Sequence, residues 1–170
     1  MTGHLDDALW QTVQASVPIV CVDVVPIHDG EHGLEVGLIE RTFPGTGERV
    51  WCHLGGRVQH GETVTEALTR HVTETVVGAR LELPADPQPD YVMQWFPSAV
   101  RTDRAFGDDP RKHAVSLCFG LRLGDDLVAR DGGEGLDLRW FAAGLEGVEP
   151  LWPGTAHLVA STVPSTSSGT

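Results

Sequence analysis

Gly55-Gly56-Arg57-Val58-Gln59-His60-Gly61-Glu62-Thr63-Val64-Thr65-Glu66-Ala67-Leu68-Thr69-Arg70-His71-Val72-Thr73-Glu74-Thr75-Val76-Val77-Gly78 is the stretch on which the reading of this 170-residue chain turns. The residues before it, Val50-Trp51-Cys52-His53-Leu54, have the β-branched and aromatic character of a short strand, which the glycine pair ends. Thr63-Val64-Thr65-Glu66 is a capping-box pattern, in which the Thr hydroxyl and the Glu carboxylate satisfy amides of a first helical turn. Gly78 supplies a C-terminal stop. At about 100° per residue, Val64, Leu68, Val72 and Val76 form one apolar stripe, while Arg70, His71, Glu74 and Gly78 lie on an adjoining face. Glu62, Glu66, Arg70 and Glu74 are successive i,i+4 neighbours if the turn before the cap continues the spiral, so Arg70 is expected between carboxylates. The alternative for these charges is a solvated ladder.

Working outward, Asp6 to Ser16 predicts a short helix ended by Pro18. Ile19 to Val25 reads as a buried strand and Gly33 to Arg41 as its hairpin partner, with Asp29-Gly30 in the turn. Further strands are expected around Leu81 to Leu83, Tyr91 to Trp95, His113 to Leu123 and Leu136 to Phe141, and a closing helix over Thr155 to Thr162. Pro97 to Lys112 reads as a long functional or mobile loop. Residues 1–163 are expected to form one α/β layered domain, and 164–170 a disordered tail.

Composition narrows the partners. The formal net charge is -12, with 12 Lys and Arg against 24 Asp and Glu, which disfavours long nucleic acid. A small phosphorylated ligand remains compatible, because a divalent cation and two or three local arginines can reverse the sign of a pocket. Cys21, Cys52 and Cys118 are odd in number, far apart and set in apolar runs, so reduced core thiols are expected. There is no basic, apolar leader and no apolar run of about 18 residues, so a cytoplasmic protein with no membrane partner is expected. At 41% apolar residues the chain can bury its own core, and a homodimer is compatible but not required.

The quoted stretch resembles the Nudix box, whose Gly, Glu, Arg, aliphatic and Glu positions are matched in register by Gly56, Glu62, Arg70, Val72 and Glu74. It departs where His71 and Thr75 stand for two of the usual metal carboxylates and where Val77 stands for the box glycine. The resemblance implies a Nudix-type α/β/α sandwich with a mixed β-sheet, and hydrolysis of a diphosphate with Mg²⁺. Glu74 is then the expected metal carboxylate, with Glu62 or the Gly55 carbonyl completing the site. His71 in place of a glutamate offers a softer nitrogen donor that favours Mn²⁺, or else a ring packed at the edge of the core.

The N-terminal two thirds is similar to the GDP-mannose mannosyl hydrolase branch, on Trp10 to Pro18, Asp23, Arg41 and Gly55-Gly56-Arg57-Val58-Gln59. That likeness places Arg41, Arg57 and Arg70 in the active site, and arginine forks suit a diphosphate. The branch's general-base histidine has no counterpart, because Glu134-Gly135 stands in its place. Glu134 is either a metal ligand or base, or an exposed loop residue; Glu134 or His71 would position water. Asp108 to Ala114 has no partner in that branch and resembles an uncharacterised Nudix-like group of GC-rich bacteria. Its Arg111-Lys112-His113 cluster meets a phosphate or nucleotide, or caps a strand. His60 and His113 are further candidate bases, and Trp51 or Trp95 either stacks a nucleobase or lies in the core. The implied function is a divalent-metal-dependent hydrolase of a nucleoside diphosphate linked to another group, with a nucleotide sugar foremost. A catalytically silent domain that binds a nucleotide or a protein partner is the alternative.

Overall fold

The computed structural model describes residues 5–31, 33–97 and 106–164. Helix α1 (Asp7–Ser16) starts where the Asp6 carboxylate accepts the Leu9 amide at 2.8 Å, satisfying one free donor of the first turn. None of its residues is buried, yet Trp10 and Val13 pack against the core. Strand β1 (Ile19–Gly30) is buried without a break from Cys21 to Ile27, as befits a strand flanked on both edges. It runs past the expected end at Val25 and turns into β2 (Gly33–Thr42), with Ile27 opposite Val36 and Gly30 opposite Gly33.

The stretch expected as one strand from Val50 to Leu54 is divided at His53. Strand β3 (Arg49–Cys52) pairs with β2, whereas β4 (Leu54–Arg57) pairs with β1, so His53 sits where the chain changes neighbours. Helix α2 (Val64–Thr75) carries the expected capping box, with Thr63 as N-cap and Glu66 reaching back to it. Gly78 does not end this helix. It closes at Thr75, and Val76–Val77 becomes β5, paired with β9 (Val128–Ala129); Gly78 turns the chain just beyond, at φ +91°.

The remaining elements are β6 (Tyr91–Phe96), β7 (Gly107–Asp108), β8 (Ala114–Leu121), β10 (Asp137–Ala142) and α3 (Thr155–Thr162). The strand expected at Leu81 to Leu83 is absent. Pro84, Pro87 and Pro89 follow closely and cannot donate to a ladder, so Leu81 and Leu83 reach the core as loop side chains. Of the expected Pro97 to Lys112 loop, the described part contains β7 and a tight turn; residues 98–105, like 165–170 of the expected tail, lie outside the described residues.

The main sheet has the order β10-β2-β1-β8-β6-β7, with β3 on β2 and β4 on β1. The β1–β8 and β6–β7 pairs are parallel and the others antiparallel, which makes the sheet mixed. Helix α2 packs on β1 and β4, and α3 on β8 and β6, completing the expected α/β/α sandwich. Among the described residues, no helix is long and apolar enough to cross a membrane. Asp23 lies opposite Gly55 of β4 on one side of β1 and Cys118 of β8 on the other, at the centre of the sheet.

Candidate active site

Helix α2 divides its polar residues between holding the fold and facing a cleft. Arg70 Nε donates to Glu62 Oε1 at 2.7 Å and Arg70 Nη2 to Glu62 Oε2 at 2.8 Å, while Nη2 also reaches the Arg57 carbonyl at 3.0 Å. Glu62 Oε2 further accepts the Gln59 amide at 2.8 Å. Arg70 is thus clamped between carboxylates as expected, by Glu62 and by Glu74 at 3.5 Å, but Glu66 is taken up by the cap. His71 is buried, its Nε2 lies 3.0 Å from the Arg57 carbonyl, and a Cβ added to Gly56 would meet its ring at 2.5 Å. The Arg70 fork, aided by the Gln59 amide, holds the Glu62 carboxyl below its usual range against a smaller effect of burial.

A depressed folded value means that this carboxylate stabilises the fold above its unfolded pKa of about 4.3, and that the contribution is lost as pH falls through the lower folded value. Glu62→Gln should therefore cost about 2 kcal/mol at neutral pH, because it leaves a half-buried guanidinium without its fork partner. In urea melts across pH, the gap between wild type and Glu62→Gln should close towards pH 3; a gap independent of pH would contradict this.

Above α2 opens an outer cleft lined by α1 through Trp10 and Gln14, by Arg57, Arg70, His71 and Glu74, and on the far side by Glu134. Arg57 lies 4.2 Å over the Trp10 ring. The cleft continues inward to a smaller cavity whose walls include Cys21, Asp23, Cys52, His53, Trp95 and Ser116. Arg41, Gly55, Gly56, Arg111 and Lys112 line both parts, so three cations stand at the junction.

At the floor of the inner cavity Asp23 accepts the Trp95 indole N–H at 3.1 Å and stands 3.4 Å from His53 Nε2. Burial pushes the Asp23 carboxyl up, but His53, with Lys112 beyond it, more than offsets this and holds it below the usual range. It stays ionised and can accept hydrogen bonds. Burial pushes the Cys21 and Cys52 thiols up to about 12, so neither offers a thiolate nucleophile at neutral pH.

Of the residues expected from the sequence, Gly55, Arg41, Arg57, Arg70, His71, Glu74, Lys112 and Glu134 are brought to this cleft. Arg41 Nη2 and Glu134 Oε1 face each other at 3.4 Å. Glu62 and His113 are not among the lining residues: Glu62 is held by Arg70 and Gln59, and the His113 ring stacks on Phe96 with centroids 4.4 Å apart. His60 is exposed outside the lining, and Trp51 is buried against Phe141, whereas Trp95 forms a wall of the inner cavity. Arg111 of the expected cluster also lines it, as do His53, Asp109 and Trp152, which were not singled out by the sequence.

The donor set for a cation is small. Both Glu62 oxygens are engaged, and among the described residues no group of three or more His, Cys, Asp or Glu is arranged to hold a metal ion. Glu74 and Glu134 face the same cleft and share an adjoining hollow with Arg130 and Asp131. Glu74, Glu134 and the Gly55 carbonyl are oxygen donors that this lining offers a hard cation, and since they fall short of about six oxygens, substrate oxygens and water would complete its shell.

Sheet, helix α2 and cleft together build the fold that solved Nudix and MutT structures share. The chain belongs to the family described as a domain of unknown function, DUF4916, whose model matches residues 1–152. It is 32% identical over 149 residues, 88% of this chain and 86% of the relative, to the low-salt glycan biosynthesis protein Agl8 of Haloferax volcanii. A possible asymmetric diadenosine tetraphosphate hydrolase from Jonesia denitrificans is 30% identical with a TM-score of 0.70, covering 85% of this chain and 91% of that one. The Nudix domain of Shewanella oneidensis NrtR, solved with ADP-ribose, shares the fold at 19% identity and a TM-score of 0.57, over 92% of this chain and 96% of that one.

Proposed function

We propose that the chain hydrolyses a nucleoside diphosphate linked to a second group, in a reaction that depends on a divalent cation, with nucleotide sugars as the leading substrates. The observation that carries this reading is the placement of Arg41, Arg111 and Lys112 at the junction of two cavities, with Glu74 and Glu134 facing the outer one. A linear substrate with a diphosphate at its centre fits such a bipartite cleft. The Asp23 carboxylate and the Ser116 hydroxyl in the inner cavity suit an end group that donates hydrogen bonds, as the hydroxyls of a sugar do. The name of one relative refers to glycan biosynthesis, which supports a sugar end group, and that of another to a dinucleotide, which supports only a nucleoside joined through phosphates to a second group.

Mg²⁺, or Mn²⁺ as the alternative, would be held by Glu74 and the Gly55 carbonyl together with substrate oxygens and water, and would neutralise charge on the bridging and leaving oxygens. The chain's own groups do the rest. Arg41 and Arg57 hold phosphate oxygens, Arg70 keeps Glu74 turned towards the cleft, and α1 with Trp10 closes one flank against water. Glu134, half exposed and only 3.4 Å from Arg41, is the group positioned to accept a proton from water once Arg41 engages a phosphate. A second reading, a site that binds without turning over, rests on His71 and Thr75 standing where carboxylates are expected.

The deciding experiment incubates the purified chain with Mg²⁺ or Mn²⁺ and a panel of nucleotide sugars, dinucleotides and nucleoside triphosphates, with products read by mass. Cleavage of the nucleotide sugars above the other compounds is expected. Saturable binding without a product under either metal would replace hydrolysis with the silent reading.

A further inference from the structure

Asp109-Pro110-Arg111-Lys112 is a tight turn with a proline at its second position, closed by the Lys112 amide on the Asp109 carbonyl at 3.2 Å. The Asp109 carboxylate also accepts the Arg111 amide at 3.0 Å, the local bond that makes aspartate favourable at the first position of a turn. The same carboxylate grips both cations. Arg111 Nε and Nη2 donate to its two oxygens at 2.8 and 2.9 Å, and Lys112 Nζ stands 3.2 Å from Oδ2. Asp109 itself is buried, and its partners hold it ionised against the cost of burial.

Across the junction Trp152 is fixed by its indole N–H on the Asp108 carbonyl, and both Arg41 and Arg111 lie 5.6 Å from its ring centroid. The fork on Asp109 uses one edge of Arg111 and leaves its Nη1 without a hydrogen-bond partner among the described residues. Two of the three Lys112 donors are likewise left over. Cations preset in this way lose little freedom when an anion arrives.

We propose that this turn, with Arg41, is a diphosphate grip that works without a metal ion. It rests on the hydrolase reading only for the identity of the cleft, and it assigns roles that the box does not contain: Arg111 and Lys112 as phosphate-binding residues and Asp109 as the residue that positions them. A bound diphosphate carries two or more negative charges, which a site rich in carboxylates must offset with metal. Here Arg41, Arg111 and Lys112 bring three positive charges against the buried carboxylate of Asp109, with Glu134 facing Arg41 from the outer cleft, and among the described residues the donor set for metal is thin.

The test is titration calorimetry of the full chain with ADP, AMP and inorganic pyrophosphate in EDTA and again in Mg²⁺. ADP and pyrophosphate should bind in EDTA, with ADP within about five-fold of its affinity in Mg²⁺ and at least about ten-fold tighter than AMP. Arg111→Gln should weaken ADP at least about ten-fold in EDTA, and Asp109→Asn should weaken ADP while leaving AMP nearly unchanged. Arg139→Gln, on β10 beside Trp51 and away from the cleft, should bind as wild type. Thermal melts confirm that each variant is folded, and Arg41→Gln stands in for any that is not. Loss of ADP binding in EDTA, or undiminished binding by folded Arg111→Gln and Arg41→Gln, would overturn the grip. Binding in EDTA with no nucleoside diphosphate conjugate hydrolysed under Mg²⁺ or Mn²⁺ sinks the hydrolase reading alone; hydrolysis of a conjugate without ADP binding in EDTA sinks the grip alone.

Discussion

Glu74→Gln should lower turnover of any cleaved substrate by at least about 100-fold while leaving the fold intact. The side chain is 62% exposed and its only ion pair among the described residues, with Arg70, is long at 3.5 Å, so its removal leaves no buried charge unpaired. The bidentate Glu62–Arg70 clamp stays in place beneath it. Glutamine keeps the shape and removes the charge, which separates a chemical role from a packing one. Steady-state rates beside a thermal melt give the answer: a variant that retains more than about a tenth of wild-type turnover would remove Glu74 from the chemistry.

A second large effect is expected on the fold. Gly55 pairs with Asp23 across β1 and β4 at φ +144°, and a Cβ there would run into the Val22 carbonyl oxygen and the Asp23 carboxylate. Neither obstacle is a free side-chain end, since Asp23 is fixed by Trp95. Gly55→Ala should therefore cost about 3 kcal/mol, a fall in Tm of about 10 °C. Gly61→Ala is the control. Gly61 also has a positive φ, +83°, but nothing within 4 Å of the added Cβ, so the strain acts alone and about 1 kcal/mol is expected. Equal losses at both positions would show that close approach at Gly55 is not what the sheet centre requires.

Helix α2, its capping box and the hairpin of β1 with β2 were legible in the sequence because their signals are local: a cap three residues from its partner, and a continuous β-branched run leading into an Asp-Gly turn. The box register likewise placed Arg70 and Glu74 on one face and led to the cleft. What local signals missed was long-range. The break at His53 comes from two different neighbours, β2 and β1, competing for one apolar run. Leu81 to Leu83 has strand composition but stands before three prolines. Asp109 lay in a segment read as loop and Arg111 was seen only as part of a basic cluster, although Asp-Pro at the head of a turn was a usable sign that the two residues after it are held in a fixed geometry. Arg41, Trp152 and Arg111 are far apart in the chain and meet only through the sheet, so no spacing rule joins them.

Hydrolysis carries a signature that binding alone cannot produce, since one oxygen atom of water must end in a product. The wild-type chain, incubated with nucleotide sugars and Mg²⁺ or Mn²⁺ in ¹⁸O-labelled water, should yield a product bearing a single label, in the phosphate fragment for attack at phosphorus or in the sugar for attack at carbon. Absence of any labelled product from every nucleoside diphosphate conjugate, under both metals, would contradict a hydrolase acting in this cleft.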